Sequence, residues 1–122
     1  MSEGVAIGTA FVWDNHVWFV LSAPDLRGQV LCVNLTTLDE ECPDDECILS
    51  EADYAWIGHS TAVAFSRARL WDAAKIGAAL AGGALERPQP NTIPWATVEK
   101  VRKSAIASRG LRKEWKALLL PP

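Results

Sequence analysis

Seven polar side chains in this chain are of types that do acid–base or phosphate chemistry, and each sits at the end of an apolar run or in the turn beside one: His16, Thr36, Thr37, His59, Ser60, Arg67 and Arg69. An imidazole titrates near neutral pH and can both take and give a proton. A guanidinium presents a planar fork of donors to phosphate oxygens. Between them these residue types can take a proton, give one and steady an anion such as a phosphate. Each residue also has an ordinary reading. His16 fits a hairpin, the two threonines a strand-end turn, His59 and Ser60 a turn, and the arginines a solvated edge. Chemistry that depends on a glycine-rich phosphate loop, a Ser-His-Asp spacing signature or a metal-binding histidine pair has no motif here. Cys42 and Cys47, with His59 downstream, come nearest to a zinc set, but their separation is wider than the usual paired spacing. The expectation is therefore no metal and no cofactor.

The elements that must position these groups are read from periodicity and turn chemistry. The segment VAIGTAFVW over 5–13 is rich in β-branched and aromatic residues, Asp14-Asn15 supplies a turn, and HVWFVLS begins at His16, which together predict a β-hairpin. After Ala23-Pro24-Asp25-Leu26-Arg27-Gly28, the run QVLCVNL predicts a third strand ending at Thr36-Thr37. The acidic stretch from Asp39 to Glu46, broken by Pro43, is expected to be an exposed loop that leads into a short strand around Cys47 to Leu49. Trp56 and Ile57 are expected to tuck beneath the sheet. The run STAVAFSRARLW over 60–71 alternates with a period of two and predicts one strand, with Val63 and Phe65 inward and the arginines emerging near its end. Asp72 suits an N-cap for AAKIGAALA, and Gly82-Gly83 should stop that helix. The proline-containing stretch 85–94 reads as an extended connector. Beyond it, Trp95, Val98, Val101, Ala105 and Ile106 recur at helical spacing, with Gly110 as the stop, and LRKEWKALL predicts a last short helix.

Length and composition bound the class. At 122 residues with 49% hydrophobic and 22% charged side chains, the chain is expected to fold as one ordinary globular unit. The apolar runs fall far short of the ~18 residues that suggest a membrane span, and the opening Met1-Ser2-Glu3 lacks the basic start of a signal peptide, so the expected location is the cytoplasm. An odd set of three cysteines argues against a disulfide framework. Charge is strongly polarised: residues 1–66 carry one basic side chain, Arg27, against eleven acidic ones, whereas 67–122 carry eleven Lys and Arg against four acids. Such a split points either to a phosphate-bearing partner for the second half or to attraction between the halves.

The adjacent runs HVWFVLS (16–22) and VLCVNLTT (30–37) resemble two strands of the MazF/PemK/Kid family of toxin endoribonucleases, over about a fifth of the chain, with a compatible element order over roughly residues 5–80. The resemblance implies an α+β fold: a small SH3-like antiparallel β-barrel followed by a short helix and a basic C-terminal helical arm. It implies a metal-independent ribonuclease of a toxin–antitoxin pair, a homodimer, with RNA and a cognate antitoxin protein as partners and no membrane. Thr36 falls on the threonine that the family uses near the scissile phosphate, and His16 falls where the family usually has its catalytic arginine. The chain also lacks the family's Gly-x-Glu-Gln-like loop, and Val17 stands where proline is usual.

The sequence reading thus divides the chain into a barrel with its short helix over 1–84 and a connector with a basic helical extension over 85–122. It assigns His16, Thr36 and Arg67 to catalysis and Thr37, His59, Ser60 and Arg69 to substrate binding. The alternatives are a non-catalytic SH3-like module that binds a protein or nucleic acid, and a structural accessory protein of a phage or mobile element. Any RNA site should lie away from the acidic 39–46 loop, which would repel the backbone.

Overall fold

The computed structural model describes residues 5–37 and 46–119. Strands β1 (Ala10–Trp13) and β2 (His16–Val20) form the expected hairpin, closed by the Trp13↔His16 pair. Asp14 and Asn15 both have left-handed backbone, at φ 53° and 64°. Two consecutive left-handed residues make the two-residue turn whose twist matches the flanking strands, and Asn and Asp tolerate it where most side chains do not. The turn into β3 (Gln29–Thr37) is held by one carboxylate: Asp25 Oδ1 accepts from the N–H groups of Arg27 and Gln29 at 2.8 and 2.9 Å.

β3 organises the sheet. One of its edges pairs with β2, and its other edge is shared by two strands. Residues 35–37 pair with β5 (Thr61–Val63), and residues 29–32 pair with β6 (Arg69–Asp72). The expected single strand over 60–71 is therefore two strands. The partner register moves from Leu35↔Val63 to Cys32↔Arg69, an excess of three residues on the outer strand, and the 3₁₀ turn Phe65–Arg67 absorbs it. Phe65 stays in the core, while Ser66 and Arg67 are lifted out of the sheet into solvent. The short β4 (Ile48–Leu49) completes a six-stranded sheet of order β1-β2-β3-β5-β4 in which every pair is antiparallel. Among the described residues its two outer strands, β1 and β4, do not pair with each other.

Helices cover both faces of this sheet. On one face α1 (Ala73–Ala81) sets Ala73, Ile76 and Leu80 against Phe11, Trp18, Val20, Val30 and Cys32. Asp72 caps α1 by accepting from the Lys75 N–H at 3.1 Å, and the helix ends at Gly82, followed by left-handed Gly83, as the sequence predicts. On the other face α2 (Trp95–Ala107) places Val98, Val101 and Ala105 fully out of solvent among Phe19, Leu31, Val33, Val63 and Phe65. The chain turns out of α2 at Ser108, two residues before the expected Gly110. Leu111 and Leu119, either side of the short α3 (Lys113–Lys116), join the same core.

The connector lies along the free edge of β1. The N–H groups of Ala10 and Val12 donate to the carbonyls of Asn91 and Glu86 at 3.0 and 2.9 Å, so most of that edge is satisfied rather than left open for another chain. Gly8, at φ 94°, brings this edge close enough that a Cβ would meet the Ile93 carbonyl at 3.2 Å. Among the described residues two charged contacts tie the halves together. Lys100 pairs with Asp53 at 3.2 Å, and the Glu46 carboxylate accepts from the Ser108 hydroxyl and the Arg109 N–H. The rest of the acidic loop lies outside the described residues.

Candidate functional site

The α1 face of the sheet continues past the helix into a cleft of about 560 Å³. Four separate parts of the chain contribute to it among the described residues. The hairpin contributes Trp13, Asp14, His16 and Trp18; the 3₁₀ turn and β6 contribute Arg67, Arg69 and Trp71; the segment around α3 contributes Arg112 and Trp115, and Asn34 of β3 also lines it. Among the described residues the lining thus holds three guanidinium groups and an imidazole against one carboxylate, a field that favours an anion.

The aromatic wall follows from strand pairing. Trp18 lies two residues beyond the cross-strand partner of Trp13, so the two indoles are diagonal neighbours on one face. Trp71 reaches the same face from β6, where it pairs with Val30. The ring centroids of Trp18 and Trp71 are 4.7 Å apart, and Trp13 meets Trp71 edge-on at 5.3 Å. The Trp18 indole N–H donates to the Trp13 carbonyl at 3.1 Å, which fixes the ring against the hairpin. Arg69 lies over the Trp13 ring at 5.7 Å and Arg112 over Trp115 at 4.7 Å, so two of the cations are held by aromatic faces.

His16 is half-buried, with Nδ1 3.3 Å from the Leu35 carbonyl oxygen. A carbonyl can only accept, so in the neutral ring this contact assigns the proton to Nδ1 and leaves Nε2 as the basic atom. Asn34 is 2% exposed, and its side-chain oxygen finds no donor among the described residues. A buried acceptor without a partner is costly and marks a place where a ligand or water completes the bonding.

Of the seven residues singled out from sequence, His16, Arg67 and Arg69 meet in this cleft. The other four are not among its lining residues. Thr36 pairs with Ala62 across the β3–β5 ladder and is half-buried. Thr37 and His59 form their own contact, Oγ1 to Nε2 at 2.9 Å, with exposed Ser60 beside them in the chain. Asn34, the tryptophans and Arg112 are lining residues that the sequence reading passes over. Asn34 did carry a signal, as the one polar side chain inside the apolar run VLCVNL.

Neither described thiol is among the lining residues. Cys32 and Cys47 are buried and unpaired, and burial alone pushes the Cys32 thiol far above its ordinary range. Cys42 lies outside the described residues, among which no group of three His, Cys, Asp or Glu side chains converges as a metal site would. No helix among those residues is long and apolar enough to cross a membrane. Comparison with protein-family models, with curated proteins and with solved structures finds no match to this chain.

Proposed function

We propose that the cleft is an RNA site and that the protein is a toxin-like, metal-independent endoribonuclease. The observation that carries this reading is the meeting of His16, Arg67 and Arg69, residues from opposite ends of the β-region, on one electropositive cleft walled by indole rings. Nε2 of His16 takes the proton of a ribose 2′-hydroxyl, the 2′-oxygen attacks phosphorus, and the bond to the 5′-oxygen breaks. The proton on the imidazolium is then available to the departing oxygen, and the products are a 2′,3′-cyclic phosphate and a free 5′-hydroxyl. Arg67 and Arg69 steady the charge on the non-bridging oxygens. The exposed Trp13 and the partly exposed Trp71 and Trp115 give successive bases a stacking surface, as single-strand binders do.

In this reading the antiparallel strands are those of a divergent SH3-like barrel. The active form is a cytoplasmic homodimer, and the cognate antitoxin is a protein that fills or covers the cleft. Thr36, absent from the lining, has a supporting place on β3 instead of a contact with the scissile phosphate.

One observation favours a second reading, a binding module without catalysis: His16 is the only imidazole in the lining, so acid and base duties fall on a single ring. Purified protein incubated with single-stranded RNA in chelator separates the two. Cleavage that leaves cyclic phosphate ends, and that both His16→Ala and Arg67→Ala/Arg69→Ala abolish while remaining folded, supports the ribonuclease. Retained RNA binding with intact RNA supports the module. Induced expression, with growth and new 5′ ends in total RNA followed, applies the same test in cells.

A further inference from the structure

We propose that Asn34 makes the deep part of the cleft an adenine pocket. The inference rests on reading the cleft as a nucleotide site and names the base it selects. Asn34 is buried in the middle of β3, yet it lines the cleft, and its side-chain oxygen has no donor among the described residues. Its neighbours on that face of the sheet are flat and aromatic: the buried Trp18 lies beside it as its cross-strand partner, and Trp71 packs against Trp18.

A ligand that seats here must be planar, bring an N–H to the waiting oxygen, and carry negative charge toward Arg67 and Arg69. A nucleotide does all three. Among the bases, adenine suits a carboxamide best, because its N6 amine lies between two ring acceptors, N1 and N7. Whichever edge enters, the amide oxygen receives the amine and the amide nitrogen finds an acceptor beside it. Guanine offers two adjacent acceptors on its major-groove edge, which a carboxamide cannot match, so a guanine would have to enter by another edge, such as N1–H with O6, whereas adenine fits by either face of its N6 amine; a pyrimidine covers less of the indole wall. The same chemistry is presented by a free adenine nucleotide and by an adenosine in single-stranded RNA.

The test is titration of the full chain, followed by tryptophan fluorescence and calorimetry, with adenosine 5′-monophosphate, with purine riboside 5′-monophosphate, which lacks only the N6 amine, and with uridine 5′-monophosphate. Oligoadenylate and oligouridylate distinguish RNA from free nucleotide as the ligand. The adenine nucleotide is expected to bind about ten-fold or more tightly than its amine-free analogue, and Asn34→Leu is expected to level the two. Equal binding of both analogues by the wild type overturns the proposal without recourse to any variant. So does a preference that survives in Asn34→Leu, or no nucleotide binding at all. RNA cleavage is scored separately. Cleavage without adenine preference removes the base pocket and leaves the ribonuclease, whereas adenine preference with intact RNA does the reverse.

Discussion

Removing residues 85–122 should leave a chain that does not fold, although the deleted part looks from composition like a detachable basic arm. The structure supplies the magnitude. Ile93, Val98, Val101, Leu111 and Leu119 are each 5% exposed or less and belong to the core that also holds Phe19, Val33 and Phe65. Full burial of one such side chain contributes about 1.5–3 kcal/mol, so the five together contribute roughly 8–15 kcal/mol. That equals the whole stability of a typical domain, about 5–15 kcal/mol. Truncation also uncovers the free edge of β1, whose Ala10 and Val12 N–H groups bond to Asn91 and Glu86, and it removes the Pro90 carbonyl that accepts from the buried Tyr54 hydroxyl. The assay is urea unfolding of the 1–84 fragment beside the full chain, followed by circular dichroism and tryptophan fluorescence. Leu111→Ala in the full chain serves as a graded control and should cost about 2–5 kcal/mol with an unchanged denaturant slope. A fragment 1–84 that unfolds cooperatively, within about 2 kcal/mol of the full chain, would refute the reasoning and make the C-terminal part an appendage.

The remaining expectations are narrower. Asp72→Ala removes the cap on the Lys75 N–H and should cost about 1 kcal/mol in thermal unfolding, with Asp72→Ser recovering most of it. Asn15→Val forces a β-branched side chain into left-handed backbone and should cost about 1–2 kcal/mol, whereas Asn15→Gly should not destabilise. The Ser108 hydroxyl, followed by the Arg109 N–H, holds the Glu46 carboxyl below its ordinary range. Because the folded-state value is the lower one, this contribution is complete above the unfolded glutamate value and is lost as pH falls through the folded one. Glu46→Gln should therefore be less stable than the wild type at pH 7, by under about 1 kcal/mol for so exposed a group, and the difference should vanish in acid; a constant difference across pH would count against the clasp. Burial should keep Cys32 and Cys47 inert to a thiol reagent in the native protein and reactive in denaturant, as mass-resolved labelling would show.

Local chemistry made several elements legible before any coordinates. Asp14-Asn15 between apolar runs dictates a hairpin turn, Asp72 ahead of an alanine-rich stretch dictates a cap, and Gly82-Gly83 dictates a stop, because each depends only on neighbours in the chain. Val63 and Phe65 do point inward and the arginines do lie in solvent, yet a period of two over 60–71 sets all four on one face and could not show the break into β5 and β6 that separates them. That break exists because both strands share one edge of β3 with a three-residue excess, a fact of pairing across some thirty residues. Trp56 illustrates the same limit: of the pair Trp56 and Ile57 expected beneath the sheet, Ile57 is buried, whereas Trp56 stacks on Tyr54 and is 46% exposed.

For the site, residue type alone nominated His16, Arg67 and Arg69, since few side chains do proton and phosphate chemistry. Tertiary structure decided that these three share a cleft while Thr36, Thr37, His59 and Ser60 do not line it, and it added Asn34 and the indole wall. The physical reason is that turns and caps are set by bonds within a few residues. A cleft is set by which distant strands share an edge and which face each side chain then takes.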